Sequence, residues 1–336
     1  MSFVYYRLPQ AATAFRNRLH DEPEELASLA ELSGRHGFVI APFCADESSP
    51  ILLVPAEWEA FDIGNIDTAC CHASLNDSAR TTEREHYAVD FTNYHAQLRD
   101  GLFAKIVLAR HATLTASKTV DPVSLFARAC RLYPRMFVAL FSTERSGTWL
   151  VATPEILLKG HGCDFQTMAL AGTMRPGGQW STKNRKEQHY VESYITECVE
   201  HFTDNFSVDG PYTSQAGDLV HLRSDIRFRL DNNERLGDML NTLHPTPAVC
   251  GMPKEATREF IQRNESAPRG YYSGFSGLLD DGGETALYVT LRCMSMAPPQ
   301  YTLYAGGGLL ADSDELSEWE ETEAKMNTMK QLFSNV

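Results

Sequence analysis

Strand-like runs far outnumber helical ones in this chain, and that imbalance limits the fold more than any other feature. Apolar runs with strand character lie at 103–114, 136–142, 148–152, 218–222, 225–230, 285–296 and 301–305, with further ones starting at 168 and 269. Helical patterns fall at 89–101, 121–132, 183–202, 236–243 and 255–264, and a last one opens near Ser317. A doubly wound α/β fold needs a helix after almost every strand, so the pattern predicts an α+β fold instead. The first 95 residues say less: short strands at 37–42 and 51–55, a polar helix over 16–32 and a polar loop over 76–85. The runs at 269 and 285–296 flank Asp281-Gly-Gly and read as paired strands around a turn.

Composition narrows the function classes. With 43% hydrophobic and 22% charged residues, the 336-residue chain has the balance of a soluble globular protein. No apolar run approaches membrane-spanning length. The N-terminus lacks the basic, apolar, small-residue order of a signal peptide, and eight scattered cysteines without a C-x-x-C spacing suit a reducing compartment. A cytoplasmic location is the expectation. The net charge of −14 argues against nucleic acid or an anionic membrane as partner. An anionic ligand would then need local positive charge or a metal.

Several residues break their local pattern in ways that suggest chemistry. Tyr304-Ala-Gly-Gly-Gly-Leu309 reads as a strand ending in three glycines, followed by a helix with Glu318, Glu321 and Lys325 on one face. Two such carboxylates suit a hard cation; acids in a first turn favoured by the helix dipole are the plainer reading. Lys105 shares the strand face of Val107, Ala109 and His111, as a candidate base or a solvated strand end. Glu155 follows a proline between apolar strands, where desolvation would raise its pKa as a general acid requires; an ordinary turn glutamate is the alternative. Glu187 precedes Val191 by four residues on the apolar stripe Val191, Tyr194, Ile195, Cys198 and Phe202. An inward carboxylate needs a partner or a metal, unless it sits at a frayed helix start. Arg292 in an apolar strand suits bidentate capture of a carboxylate. His221 alone reads as a satisfied core histidine.

Taken in order, Lys105-Ile-Val-Leu-Ala-Arg110, Thr153-Pro-Glu-Ile-Leu157, Ala171-Gly-Thr173, residues 183–191, Val220-His-Leu222, His244-Pro-Thr-Pro-Ala248, Arg269-Gly-Tyr-Tyr-Ser-Gly274, Tyr288-Val-Thr-Leu-Arg292, Tyr304-Ala-Gly-Gly-Gly308 and Glu318-Trp-Glu-Glu-Thr322 form a series that resembles the chorismate-utilising enzymes. The resemblance covers about residues 90–333 and is strongest to the isochorismate-forming branch. It implies one domain over 1–336 made of two similar β-sheets packed face to face, with helices outside and the site between. Residues 1–90 would form a shortened, divergent part of the first sheet.

It also implies Mg²⁺ as cofactor and chorismate as substrate. Glu187 and Glu321 match the metal ligands, and Glu318 a helper acting through water. Lys105 matches the base, Glu155 the acid and His221 a histidine beside the substrate ring. Gly172, Thr173, Ala248, Arg292, Tyr304, Gly306, Gly307 and Lys325 match the substrate-contacting set. Ala171 stands where the aminodeoxychorismate synthases carry a nucleophilic lysine. Ala248 stands where anthranilate and salicylate synthases carry threonine. Both departures point to water as nucleophile. Cys250 stands where serine is usual. A monomer or weak homodimer is the expected state.

Overall fold

The computed structural model describes residues 2–216 and 219–334. Two antiparallel sheets, one of ten strands and one of nine among these residues, carry the architecture. Lys105–Ala116 pairs with Gln300–Leu309 near one edge of the first sheet, which continues through Cys293–Ala297, Gly147–Thr153, Phe137–Thr143 and Phe3–Arg7. The second runs from Phe206–Ala216 through Leu219–Arg229, Asp164–Met174, Ile156–His161, Glu284–Val289 and Phe275–Asp281 to Gly37–Ala41. Apolar side chains of both sheets meet in one layer, with Phe137 stacked on Tyr288 at 4.4 Å and Tyr6 against Phe38 at 5.9 Å. The helices cover the outside. Thr182–Glu200 and Leu236–Leu243 bury Val191, Ile195, Met239 and Leu240 on the second sheet. Arg80–Arg99 and Glu315–Lys330 bury Tyr87, Phe91 and Trp319 beside Ile106 and Leu108 of the first. This is the α+β architecture that the strand excess predicts.

The structure corrects several local expectations. Residues 16–32 are not one helix: the strand Ala14–Arg18 ends inside them, Glu24–Leu26 is a second strand and Leu29–Leu32 is a short 3-10 turn, because cross-strand partners, Arg16 opposite Tyr5 among them, override a weak helical preference. Residues 76–85 are not all loop, since the helix Arg80–Arg99 opens inside them. The first 90 residues do not belong to the first sheet alone; they supply strands to both. The two strands expected at 218–222 and 225–230 are one, Leu219–Arg229, with Asp218 outside the described residues. Its edge partner Phe206–Ala216, polar and interrupted by Gly210-Pro211, carried no strand signal. The run 285–296 is two strands in different sheets, Glu284–Val289 and Cys293–Ala297, so Arg292 lies between strands and not within one. The three glycines do not end the last strand. They lie inside Gln300–Leu309.

A buried ion pair braces the strand that bears Lys105. Arg269 bonds both oxygens of Glu265 through Nε and Nη2; Nη2 also donates to the Val107 carbonyl (2.9 Å), and Nη1 donates to that of Val249 (2.7 Å). Glu265 in turn accepts from the Ala109 amide at 2.8 Å. Burial raises the Glu265 carboxyl, and Arg269 opposes that rise. Truncating one partner strands the other charge in the interior, so Arg269→Ala is expected to lower stability by about 3–5 kcal/mol. Denaturant unfolding at neutral pH checks this.

Candidate active site

The chain crosses between the sheets at two neighbouring points, and each crossing carries a functional side chain inward. Pro154 and Glu155 link Gly147–Thr153 in the first sheet to Ile156–His161 in the second. Residues 290–292 make the return from Glu284–Val289 to Cys293–Ala297. The crossings are laced together: the Thr153 hydroxyl donates to the Val289 carbonyl (2.7 Å), the Val289 amide to the Glu155 carbonyl (3.0 Å), and the Ala152 amide to the Arg292 carbonyl (2.8 Å). Glu155 and Arg292 are both buried there. Burial pushes the Glu155 carboxyl up to about 7, against the pull of Lys105, Arg292 and Lys325. Among the described residues, no carboxylate stands within ion-pair distance of the Arg292 guanidinium; its side chain meets His221 Nε2, 3.5 Å from Nη2.

His221 is held in one tautomer. Its Nδ1 lies 3.1 Å from the Gly172 carbonyl oxygen, which can only accept, so Nδ1 bears the proton and Nε2 faces Arg292 as an acceptor. Burial, with Arg292 and Lys325 nearby, pushes the imidazole down to about 3, and it is neutral at pH 7. Gly172 sits at a bulge between Ala171 and Thr173 with φ 70°, a backbone turn that favours glycine and aims its carbonyl at His221.

The glycine strand lets acids from both sides converge. Successive residues of Gln300–Leu309 face opposite sides of the sheet. On the inner side, a Cβ at Gly308 would stand 2.0 Å from Glu187 Oε1 and 2.7 Å from Lys105 Cε; one at Gly306 would meet the Tyr272 hydroxyl at 2.8 Å. On the outer side, a Cβ at Gly307 would lie 3.1 Å from Glu318 Oε2 and 3.8 Å from Glu321 Oε1. A strand stripped of side chains is therefore the thin wall across which Glu187 and the helix Glu315–Lys330 meet. Three lysines hold the three acids. Lys105 Nζ is 3.1 Å from Glu187 Oε1, Lys183 pairs with Glu318, and Lys325 Nζ is 2.5 Å from Glu321 while donating to the Gly306 carbonyl at 2.7 Å. Burial raises the Glu318 carboxyl, while the ammonium groups of Lys325 and Lys183 overcome burial at Glu321 and hold it below the usual range.

One cavity unites most of the expected residues. Its walls include Glu155, Gly172, Thr173, Glu187, His221, Ala248, Arg292, Gly306, Glu321 and Lys325. Lys105, Glu318 and Gly307 stand just behind, in contact through Glu187 and the glycine strand. Tyr304 is not brought in. It stacks between Trp149 (5.2 Å) and Tyr272 (5.6 Å) and lines a neighbouring cavity with Phe43 and Arg269. Tyr272 and Leu291 line the site without having been expected, and Lys183 was missed as the partner of Glu318. The i, i+4 spacing of Lys183 and Glu187 puts both on one helix face but does not identify Glu318 as the partner of Lys183.

The donors suit a hard cation. They are carboxylate oxygens, Glu318 Oε2 is buried without a hydrogen-bond partner, and the missing Cβ at Gly307 leaves room before it. No group of three or more His, Cys, Asp or Glu side chains stands close enough to enclose a metal among the described residues, since each acid turns to a lysine. A cation here would use two carboxylates plus oxygens of its ligand. Gly308→Ala drives a methyl group into the Lys105–Glu187 pair, and a misplacement of about 1 Å costs on the order of 100-fold in turnover. That loss, with an unchanged circular dichroism spectrum, is the expected result.

Comparison with known proteins finds a matching family and several relatives. A family model described as "Chorismate binding enzyme" matches residues 54–334. The salicylate biosynthesis isochorismate synthase of Pseudomonas aeruginosa is 30% identical over 279 residues, covering 79% of this chain and 58% of that protein. The isochorismate synthase EntC of Escherichia coli K12 is 26% identical over 301 residues, covering 84% of this chain and 77% of its own. The crystal structure of DhbC from Bacillus anthracis superposes with a TM-score of 0.84 at 22% identity, over 98% of this chain and 95% of that one.

Proposed function

This chain belongs to the family of chorismate-binding enzymes, and we propose that it interconverts chorismate and isochorismate with Mg²⁺ as cofactor. The observation that carries the reading is Arg292, a buried guanidinium facing the cavity without a carboxylate partner among the described residues, beside a Glu155 whose carboxyl burial pushes up to about 7. The site lacks one anion and offers one acid, which is what a carboxylated substrate with a departing hydroxyl requires.

Glu187 and Glu321 would hold the Mg²⁺, with Glu318 assisting through water. When bound, the cation supplies Lewis-acid stabilisation of charge developing on the ring carboxylate. Arg292 and Lys325 bind and orient the remaining carboxylate of the dianion. Lys105, in its uncharged form, accepts a proton from the water that forms the new C–O bond at C2. The ring double bonds shift, the C4–O bond breaks, and Glu155 donates the proton with which the hydroxyl departs as water. One water enters and one leaves, so the product is an isomer of the substrate. Solvent returns Lys105 and Glu155 to their starting states. The neutral His221 keeps Arg292 in place without adding charge. Ala171 and Ala248 keep two wall positions small and free of nucleophile.

The test is chorismate plus Mg²⁺, with products separated by chromatography and pyruvate assayed in parallel, with and without ammonium. Isochorismate without pyruvate is expected. Pyruvate with salicylate, or with anthranilate when ammonium is present, would reassign the chain within its family. Glu321→Gln is expected to weaken Mg²⁺ binding by more than about tenfold in calorimetry; unchanged affinity would remove Glu321 from the metal set.

A further inference from the structure

Arg110 lies on the same strand as Lys105, on the opposite face, and nothing in the chemistry above uses it. It is 5% exposed. Its guanidinium lies over the Trp319 ring at 3.7 Å to the centroid, its Nε donates to the Thr322 hydroxyl at 2.7 Å, and its Nη2 pairs with Glu323. Its Nη1 stands 4.0 Å from Glu83 on the neighbouring helix Arg80–Arg99. Trp319, Thr322 and Glu323 each lie one or two positions from Glu318, Glu321 and Lys325 on the same helix, so they form the adjacent face. We infer that Arg110 is a positioning residue: by gripping that face it fixes the rotation of the helix Glu315–Lys330, and so the angle at which Glu318 and Glu321 meet Gly307.

The geometry favours positioning over simple core filling. A planar fork with an aromatic stack beneath it and hydrogen bonds in two directions fixes rotation as well as separation, which a lysine or an apolar side chain does not. The strand paired with this one, Gln300–Leu309, has no side chains at positions 306, 307 and 308 to hold the helix from its side, which leaves the rotation to its neighbour. The inference rests on the metal reading given above.

The experiment compares wild type with Arg110→Met, Arg110→Lys and Thr322→Val. Mg²⁺ affinity is measured by calorimetry without substrate, the Mg²⁺ dependence of turnover by kinetics, and amide hydrogen exchange over residues 315–325 by mass spectrometry. Outer residues that orient ligands typically govern affinity by 10–100-fold, so Arg110→Met is expected to weaken Mg²⁺ binding by about tenfold and to raise the half-saturating Mg²⁺ equally. Turnover should recover at saturating Mg²⁺, and exchange in 315–325 should quicken. Arg110→Lys should fall between the two. Thr322→Val, which removes the hydroxyl that accepts from Arg110 Nε and donates to the Trp319 carbonyl, should shift affinity in the same direction and serves if Arg110→Met does not fold. A lower Tm with unchanged Mg²⁺ affinity, or a loss of turnover equal at every Mg²⁺ concentration, would overturn the positioning role. Wild type without Mg²⁺ affinity would overturn the metal reading and this inference together; wild type with it, and Arg110→Met equal to wild type, would overturn the inference alone.

Discussion

Lys105→Ala is expected to lose turnover by roughly 10²–10⁴-fold, the range that one positioned proton acceptor contributes, while chorismate binding stays within a few-fold of wild type. Lys105 is fully buried, and its Nζ has no hydrogen-bond partner although Glu187 Oε1 lies 3.1 Å away. The competing account makes Lys105 only the counter-ion of Glu187. The two separate cleanly. A lost counter-ion changes Mg²⁺ affinity at Glu187 and is repaired by Lys105→Arg; a lost base lowers turnover at saturating Mg²⁺ and is partly rescued by added small amines. Isothermal titration with chorismate, alongside steady-state kinetics, reads both.

Glu155→Gln should cost a similar factor of about 10²–10⁴ and should also remove a limb of the pH profile. The sign follows from the protonated form being the active one. With its carboxyl pushed up to about 7 by burial, Glu155 is mostly protonated below that pH and mostly ionised above it. Turnover of the wild type is therefore expected to fall as pH rises through about 7, by about tenfold per unit on the alkaline side. Glutamine has no proton to lose, so the variant's residual rate should lack this limb. A wild-type rate that climbs steadily from pH 6 to 9 would contradict the acid assignment.

Much of the site was legible where a residue broke its own local pattern. Glu187 lies on an apolar helical stripe, and its burial beside Lys105 follows from that spacing. Glu318, Glu321 and Lys325 share a face because helical geometry puts them there. What was not legible depends on partners distant in sequence. Residues 285–296 read as one continuous strand-like run with no glycine or proline in it, so nothing local marks the change of sheet that lifts Arg292 into the cavity. Lys183 meets Glu318 across 135 residues. Tyr304 has the strand parity of Gly306 and Gly308, yet aromatic stacking on Trp149 and Tyr272 draws it to the neighbouring cavity. Residues 16–32 have no strand periodicity of their own, and 16–18 and 24–26 become strand through their pairing partners.

The most direct test of the central claim is the fate of solvent oxygen. The purified protein is incubated with chorismate and Mg²⁺ in ¹⁸O-labelled water, and the product is read by mass spectrometry and ¹³C NMR. Water addition at C2 with loss of the C4 hydroxyl predicts isochorismate carrying one solvent oxygen, at C2, and no pyruvate. Unlabelled isochorismate, or release of pyruvate in step with chorismate loss, would contradict it.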